Sequence, residues 1–283
     1  MTIPDYLVVG HVTRDLVSGG GYRIGGTVTF AALTARALGY SAAILTSASS
    51  DLPLTTIYDG IALEVVPAEA STTFENIYYD GHRRQFLRSV ASPLKPAHVP
   101  PDWRLARIVH LGPLAQEIGP EMAELFPAAT FVGVTPQGWL RRWDATGRVS
   151  PQPWGTAERF LQRASAMVLS LEDVGGDERE LARYLQMARL AAVTQSWQGA
   201  TLHRPGQAVL VPAYNVPEVD PTGAGDVFAA AFFIRMNETG DPEEAARFAN
   251  AAASFSIQGE GYGAIAGRAA VEERLRSGVV RDA

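Results

Sequence analysis

A glycine-rich turn at residues 220–226 carries the strongest chemical signal in the sequence. It reads Asp220-Pro221-Thr222-Gly223-Ala224-Gly225-Asp226 and precedes an almost continuously apolar stretch, residues 227–236. The apolar stretch predicts a buried helix, whose first N–H groups lack partners within the helix and lie at the positive end of its dipole. Such a turn favours an anion, commonly a phosphate, and its glycines let the backbone approach a ligand closely.

The last residue of this turn is Asp226, and the presence of a carboxylate beside a predicted anion site requires an explanation. A carboxylate there would repel a bare phosphate. We therefore expect Asp226 to act as a general base that takes a proton from an attacking hydroxyl. The alternative interpretation is an N-capped turn before a core helix, since a glycine-rich turn with a nearby Asp is common.

Composition narrows the classes of protein to which the chain can belong. Its 283 residues are 47% hydrophobic, which suits one large domain with a sizeable core. The formal net charge of −6 argues against nucleic acid as a main partner. The absence of cysteine excludes disulfides, thiolate metal sites and cysteine nucleophiles. Lys95 is the sole lysine and no Gly-Lys-Ser/Thr string occurs, which excludes a Walker-type phosphate loop.

The sequence carries no recognisable targeting or membrane signal. Its first residues lack a basic segment followed by an apolar run, and no uncharged apolar run is long enough to span a bilayer. We therefore expect a cytoplasmic protein without a membrane partner.

Short apolar runs, several of them ending in glycine, alternate with helical stretches through much of the chain. This pattern predicts an α/β fold with a mostly parallel sheet. The first run, residues 6–10, is soon followed by Asp15, and ligands in open α/β sheets bind at the carboxyl ends of strands. Asp15 could therefore accept hydrogen bonds from substrate hydroxyls, or it could simply cap a turn. A second glycine-rich loop, Gly25-Gly26, precedes a mostly apolar helix at residues 27–38.

Two later stretches add a hairpin and further polar candidates. Residues 72–79 and 83–88 are extended segments that flank Asp80-Gly81-His82, and they predict a β-hairpin. Gln137 follows a predicted strand and is a candidate substrate contact. Ser170 and Asp173 form a hard-oxygen pair, for which helix capping by Ser170 is the alternative.

One long segment shows no candidate chemistry. Residues 139–154 are rich in Pro, Trp and Arg, and we expect a surface excursion whose tryptophans pack rather than bind.

The 220–226 string resembles the C-terminal signature of the PfkB/ribokinase family of small-molecule kinases, and weaker similarity extends over nearly the whole chain. The resemblance implies a three-layer, Rossmann-like (ribokinase-like) α/β sandwich with a central, mostly parallel sheet. It implies one domain over residues 1–283, with a small β-sheet lid whose strands are inserted at about 12–24 and 71–90. Such lids are often shared between two subunits, so the resemblance also implies a homodimer through the lid.

The resemblance further implies roles for individual residues. Asp226 becomes the catalytic base, and the N–H groups of Gly223, Ala224 and Gly225 form an anion hole. ATP and Mg²⁺ become the expected cofactors, with K⁺ as the expected monovalent cation. The other implied assignments are substrate binding by Asp15, Gly25, Gly26, Gln137 and Asp226, nucleotide binding by Thr194, Ser196, Gly199, Gly223, Gly225 and Asn250, and metal binding by Asp220, Thr222 and Asp173.

The chain departs from the family pattern at several positions. Phe30 stands where an Asn usually contacts substrate hydroxyls, Ser170 replaces the Asn of an Asn-x-x-Glu pattern, and Ser196 replaces a common glycine. Asn250 begins a run of small residues that either admits a flat adenine or permits tight helix packing. The missing Asn and the short lid favour an inositol-kinase-like branch, while ribose, another sugar or a nucleoside stay open as acceptors.

These features predict ATP-dependent phosphorylation of a hydroxyl on a small sugar or cyclic polyol. A non-catalytic sugar- or nucleotide-binding sensor on a kinase fold is the alternative that the departures motivate, and a nucleoside kinase is another. A dehydrogenase is disfavoured because no G-x-G-x-x-G string follows the first strand.

Overall fold

The computed structural model describes residues 2–17, 19–79 and 82–281. Its strands, numbered in chain order, are β1 (Tyr6–Val9), β2 (Thr13–Leu16), β3 (Tyr22–Gly25), β4 (Ala42–Ala48), β5 (Ala62–Pro67), β6 (Thr72–Tyr79), β7 (His82–Ser89), β8 (Ile108–Leu111), β9 (Phe131–Val134), β10 (Arg141–Trp143), β11 (Val149–Pro151), β12 (Ala166–Ser170), β13 (Ala191–Thr194), β14 (Gly199–Arg204) and β15 (Gln207–Pro212). The helices are α1 (Thr27–Ala37), α2 (Leu54–Ile57), α3 (Glu121–Glu124), α4 (Ala157–Arg163), α5 (Glu178–Met187), α6 (Ala224–Thr239), α7 (Pro242–Ser256) and α8 (Arg268–Ser277).

A nine-stranded central sheet runs through the molecule in the order β15-β14-β13-β12-β9-β8-β1-β4-β5. The pairs from β13 to β5 are parallel, and β14 and β15 add an antiparallel edge. Apolar layers cover both faces. Along β1, Tyr6 and Val8 pack into the layer that contains α1, α6 and α7, whereas Leu7 and Val9 pack into the layer that contains α4. The expected three-layer α/β architecture with a mostly parallel sheet is confirmed.

A second sheet, hereafter the small sheet, has the strand order β3-β2-β6-β7. β2 pairs antiparallel with β3 and parallel with β6, and β6 and β7 form the predicted hairpin. The predicted turn at Asp80-Gly81 lies outside the described residues, as does Ser18 in the loop before β3. The register sets Asp15 of β2 opposite both Arg23 of β3 and Phe74 of β6, so these three side chains share one face.

The segment 139–154 is only partly the surface excursion that we expected. Its middle forms a short exposed hairpin, β10 and β11. Its ends are core, because Trp139 and Trp154 are buried and stack with ring centroids 4.7 Å apart and planes 8° apart. Both rings also pack on Phe160 of α4. Two large buried rings at the base of the hairpin fix its position against the central sheet.

Within the described residues, no helix is long and apolar enough to cross a bilayer.

Candidate active site

The signature turn, residues 220–226, leads directly into α6, and its conformation depends on a glycine. Gly223 is the N-cap of α6 and has a φ of 78°, the left-handed region that favours glycine. The Ala224 N–H donates to the Pro221 carbonyl (3.1 Å), and the Val227 N–H donates to the Gly223 carbonyl (2.9 Å). These two hydrogen bonds hold the turn in one conformation. The amino end of α6, which is the positive end of the helix dipole, lies at this turn.

Phe30 explains why the substrate-contacting Asn of the family pattern is absent. A Cβ at Gly223 would lie 2.3 Å from the Phe30 ring, so the ring lies directly against the turn. Phe30 is buried, and Tyr262 packs against it edge-on, with ring centroids 6.5 Å apart. In this chain the side chain of residue 30 packs against the signature turn. A polar contact to an acceptor would have to come from another residue.

Asp226 occupies the first turn of α6 and is partly buried. Burial raises the pKa of its carboxyl to about 6, and the nearby charges of Asp173 and Asp15 act in the same direction. A hydrogen bond from the Thr27 side chain and the positive charge of Arg141 lower this pKa. The structure therefore brings Asp226, Asp15 and Asp173 within electrostatic reach of one another, although 211 residues separate Asp15 from Asp226 in sequence.

Asp15 and the Gly25-Gly26 pair form one wall of this site. Asp15 Oδ1 accepts a hydrogen bond from Thr13 Oγ1 (3.2 Å), and Oδ2 lies 2.1 Å from where a Cβ of Gly25 would stand. Gly26 has a φ of 90° and caps α1, where a Cβ would lie 2.7 Å from the His11 carbonyl oxygen. Gly26 is therefore required by its backbone conformation and by the His11 carbonyl, whereas a side chain at Gly25 would displace the carboxylate of Asp15.

Gln137 and Asp173, which sequence analysis assigned to different ligands, contact each other. Gln137 Nε2 donates to Asp173 Oδ1 (2.9 Å), while Asp173 Oδ2 accepts from the Ser170 N–H (2.8 Å) and from Ser170 Oγ (3.0 Å). Ser170 Oγ also accepts a hydrogen bond from the Asp173 N–H (3.3 Å), so the two residues close a local turn. The carboxylate of Asp173 is held in one orientation at the end of β12.

The residues predicted to bind nucleotide lie around the ends of β13, β14 and β15. Asn250 Nδ2 donates to the carbonyls of Val211 and Pro212, both at 3.0 Å. A Cβ at Gly199 would lie 2.2 Å from the Val211 oxygen, and Thr194 Oγ1 donates to the Leu169 carbonyl (3.4 Å). Asn250 and Gly199 therefore fix the end of β15.

Ser196 is a special case among these residues because its φ is 52°, a value uncommon for a residue with a side chain. Glycine, the usual family residue at this position, adopts that conformation without strain.

The predicted cation residues are engaged with the protein itself. Asp220 Oδ1 accepts from the Thr222 N–H (2.9 Å), and Oδ2 accepts from the Gly261 N–H (3.2 Å). In the part of the chain that the structure describes, no group of three or more His, Cys, Asp or Glu side chains is arranged to hold a metal ion.

Sequence analysis missed two residues that face Asp226. Thr27 is buried at the start of α1, directly after the glycine pair, and the bond that it makes to Asp226 gave no signal in a single sequence. Arg141 lies on β10, with its guanidinium 5.4 Å from the ring centroid of Phe74. Arg142 is the next residue of β10. On a strand, consecutive side chains point to opposite faces, and that rule could have shown that one of the two points inward.

Comparison with known proteins shows which families and folds the chain is similar to. Residues 162–266 match the family described as pfkB family carbohydrate kinase. The ribokinase of Bacillus subtilis is 44% identical over 84 residues, which cover 29% of this chain and 29% of that protein. The inositol 3-kinase of Arabidopsis thaliana is 24% identical over 272 residues, covering 89% of this chain and 73% of that protein.

Two solved structures share the fold over almost their whole length. One is a pyrophosphate-dependent kinase in the ribokinase family complexed with a pyrophosphate analog and myo-inositol (TM-score 0.78, 21% identity, covering 95% of this chain and 99% of that chain). The other is Arabidopsis thaliana ribokinase complexed with ribose and ATP (TM-score 0.71, 20% identity, covering 98% and 100%). The architecture is therefore that of the ribokinase fold. Within that fold, residues 162–266 are similar to the pfkB family of carbohydrate kinases.

Proposed function

We propose that this protein transfers the terminal phosphoryl group of ATP to a hydroxyl of a small sugar or cyclic polyol. The observation that carries the proposal is the carboxylate of Asp226, which lies in the first turn of α6 and has a pKa of about 6. A base whose pKa is near the operating pH is suited to proton transfer. A binding protein without turnover has no evident need for a carboxylate beside an anion site.

In the proposed step the acceptor hydroxyl gives its proton to Asp226, and the hydroxyl oxygen attacks the terminal phosphorus of the donor. The bond between that phosphorus and the bridging oxygen breaks, and ADP leaves with the electron pair. The N–H groups of Gly223 and Gly225, together with the positive end of α6, stabilise the charge on the transferring group. The Ala224 N–H, which the family resemblance also assigns to the anion hole, already donates to the Pro221 carbonyl. Positioning and charge stabilisation supply most of the rate in such reactions.

The acceptor would lie between the small sheet and the carboxyl ends of the central strands. Asp15, the backbone at Gly25 and Gly26, and Gln137 surround that space, and Arg141 adds a positive charge. Asn76 shares the inner face of β6 with Phe74, and its Oδ1 accepts from Gln85 Nε2 (3.1 Å). A site rich in carboxylate, amide and guanidinium groups suits an acceptor with several hydroxyls, such as an inositol or a pentose. The names of the relatives support this class of acceptor.

The donor would lie across the signature turn, with its nucleoside toward Thr194, Ser196, Gly199 and Asn250. Asp173 fits a role at Mg²⁺ through metal-bound waters, because Ser170 and Gln137 already donate to its carboxylate and hold it in one orientation. Mg²⁺ commonly keeps several waters and binds one or two carboxylates plus substrate phosphates. When bound, it would neutralise the charge of the donor phosphates.

Pyrophosphate is a second candidate donor, and Asn250 favours it. Both of the hydrogen bonds that its Nδ2 donates go to carbonyls of β15, so its amide hydrogens are already used within the fold. A donor without adenine needs no contact there. One of the structural neighbours is a pyrophosphate-dependent kinase.

Product formation with a matrix of donors and acceptors tests this proposal. ATP and pyrophosphate would each be combined with Mg²⁺ and with myo-inositol, ribose, fructose or adenosine, and phosphorylated product would be detected by mass spectrometry. One pair that gives product well above background establishes the kinase and its substrates. A flat matrix, with thermal stabilisation by one acceptor or by ATP, would support the sensor alternative.

The base assignment is tested separately with Asp226→Asn. We expect a loss of about 10²–10⁴-fold in kcat, the range typical of a positioned general base, with little change in donor affinity. Glu218→Gln, an exposed carboxylate close by in sequence, is the matched control. Turnover by Asp226→Asn near that of the control would show that another group takes the proton.

We also propose that two copies of the chain pair through the outer face of the small sheet. Leu16, Tyr22 and Ile77 lie on the face opposite Asp15 and Phe74, and they are 37%, 40% and 40% exposed. Light scattering coupled to size-exclusion chromatography would show a dimer for the wild type. Ile77→Lys should shift it toward the monomer, and a wild-type monomer at all concentrations would contradict the pairing.

A further inference from the structure

One arginine of the small sheet contacts the signature turn. Arg23 of β3 shares the inner face of the small sheet with Asp15. Its Nη1 lies 3.7 Å from Asp220 Oδ2, and its Nη2 donates to Glu260 Oε2 at 2.9 Å. Asp220 is the first residue of the signature turn, and Glu260 belongs to the segment that follows α7. Arg23 of the small sheet therefore contacts two carboxylates, one in the signature turn and one in the segment after α7.

Asp220 is the carboxylate to which the family resemblance assigns K⁺, and its surroundings do not fit that ion. Each of its oxygens already accepts one backbone N–H, from Thr222 and from Gly261. A cation also lies beside this carboxylate, because the guanidinium Nη1 of Arg23 is 3.7 Å from Asp220 Oδ2. Hard cations need several oxygen ligands, and a guanidinium beside the carboxylate both repels an ion and supplies the charge that it would bring.

We propose that Arg23 takes the place of the monovalent cation, so that this kinase does not require K⁺. The guanidinium neutralises Asp220, whose Oδ1 in turn holds the Thr222 N–H just before the N-cap of α6. The positive charge that balances Asp220 in the signature turn thus comes from the small sheet, which covers the acceptor side of the site. The activity measurement that tests this inference rests on the proposed function, whereas the stability measurement does not.

The contact acts on the turn and contributes little to global stability. Arg23 and Glu260 have side chains that are 57% and 71% exposed, and exposed ion pairs stabilise proteins weakly. Asp220 is more protected, with a side chain that is 16% exposed. The informative measurement is therefore how a variant without Arg23 responds to cations. The loss of stability on its own tells little.

The test compares the wild type, Arg23→Ala, Arg23→Lys and Arg14→Ala in KCl and in tetramethylammonium chloride at equal ionic strength. Arg14 is the matched control, because it lies on the neighbouring strand β2 but pairs with Asp51. Melting temperature and turnover with the best substrate pair are measured in both salts. We expect the wild type, Arg23→Lys and Arg14→Ala to behave alike in the two salts. Arg23→Ala should lose about tenfold in turnover without K⁺ and regain it with K⁺, a change of about 1.4 kcal/mol in the barrier.

The melting temperature tests the proposal even if no substrate is found. K⁺ should raise the melting temperature of Arg23→Ala relative to tetramethylammonium, and should leave that of the wild type unchanged. A K⁺-specific rise in the wild type, or an Arg23→Ala variant indifferent to K⁺ in both readouts, would overturn the proposal. If Arg23→Ala does not fold, the wild type and Arg23→Lys still decide, because any K⁺ requirement in either contradicts the substitution of Arg23 for the ion.

Discussion

At the scale of single residues, the charge on Asp226 results from opposing influences that the fold brings together. Burial and the neighbouring Asp173 and Asp15 raise its pKa, while Thr27 and Arg141 lower it. Each influence comes from a different element: α1, β2, β10 or the end of β12. The pKa of about 6 is therefore a property of the assembled site, and changing one partner should move it in a direction that can be stated in advance.

Thr27 offers the most direct test of that statement. We expect the rate to rise as pH increases through about 6, because Asp226 must lose its proton to act as a base. Thr27→Val removes a hydrogen bond that favours the charged carboxylate, so it should move the rising limb of kcat/KM to higher pH. Thr27→Ser keeps the hydroxyl and is the control, for which the limb should stay in place. A pH profile identical in Thr27→Val and wild type would show that the bond does not tune the base.

Arg141 should act on the acceptor rather than on the donor. Its guanidinium lies over Phe74 on the inner face of the small sheet and is near enough to lower the pKa of Asp226. We expect Arg141→Ala to raise the acceptor KM by about tenfold or more, since hydrogen bonds from charged groups contribute about 1.5–3 kcal/mol. The donor KM should change little.

Arg142→Ala is the matched control for that experiment. Arg142 is the next residue of β10, points to the opposite face and donates to Ser150 Oγ (3.2 Å). Its removal should leave both KM values near the wild type. An Arg141→Ala variant that raises the donor KM instead would place the guanidinium on the phosphate side of the site.

At the scale of elements, the start of α6 depends on the contact between Gly223 and Phe30. Gly223→Ala introduces a Cβ at a φ of 78° and places it 2.3 Å from the Phe30 ring. The left-handed conformation costs about 1–2 kcal/mol for a residue with a side chain, and displacing a packed ring costs about 1–3 kcal/mol more. We therefore expect a clear drop in the free energy of unfolding, measured by denaturant titration.

Gly225→Ala is the stability control for this element, because a Cβ there meets no atom within 4 Å and Gly225 has no positive φ. Its free energy of unfolding should stay within about 1 kcal/mol of the wild type, as for substitutions away from packed groups. If Gly223→Ala and Gly225→Ala destabilise the protein equally, the Phe30 ring moves aside at little cost and does not support the turn.

The elements themselves were largely predictable, and the reason is periodicity. Buried parallel strands such as β1 and β8 appear in sequence as short apolar runs, and α1 and α6 follow glycine-rich loops. The stretch after β15 was harder, because residues 216–219 look extended but pair with no strand among the described residues. Residues 139–154 misled us because polar residues of β10 and β11 separate two buried tryptophans.

The site was predictable where one segment carries it and unpredictable where distant segments meet. The signature turn and the Gly25-Gly26 pair are each local. The Thr27 bond to Asp226, the approach of Arg23 to Asp220 and the position of Arg141 each join residues that are more than 80 apart in sequence. No local pattern encodes such a contact. A single sequence also could not show that Phe30 supports the turn, since that depends on the packing of α1 against α6.

At the scale of the whole molecule, a buried histidine in the central sheet makes the stability of the protein depend on pH. His110 of β8 is fully buried, and its ring nitrogens contact Tyr6 Oη (2.8 Å) and Thr135 Oγ1 (2.9 Å), both of which are neutral hydroxyls. Its ring lies edge-on to Phe233 of α6, with centroids 5.0 Å apart. Burial lowers the pKa of His110 to about 3, because the charged form of the ring loses its hydration in the core.

This lowered pKa predicts a loss of stability in mild acid. Between about pH 6.5 and pH 3 the unfolded chain binds a proton at His110 that the folded chain does not, so stability falls as pH decreases through that window. The loss from His110 amounts to about 2 kcal/mol between pH 7 and pH 5. Asp226 acts in the opposite direction, because its raised folded pKa favours the folded state as pH falls through about 6, by about 1 kcal/mol over the same interval.

The two contributions can be separated by measuring the free energy of unfolding at pH 7 and pH 5. Asp226→Asn removes the compensating carboxylate, so it should lose about 1 kcal/mol more than the wild type over that interval. His110→Gln lacks the titrating ring but can still reach the hydroxyls of Tyr6 and Thr135, so its stability should be less sensitive to acid than that of the wild type. If His110→Gln and the wild type show the same dependence on pH, the ring must accept a proton in the folded state, and the hydroxyl pair must stabilise the charge after all.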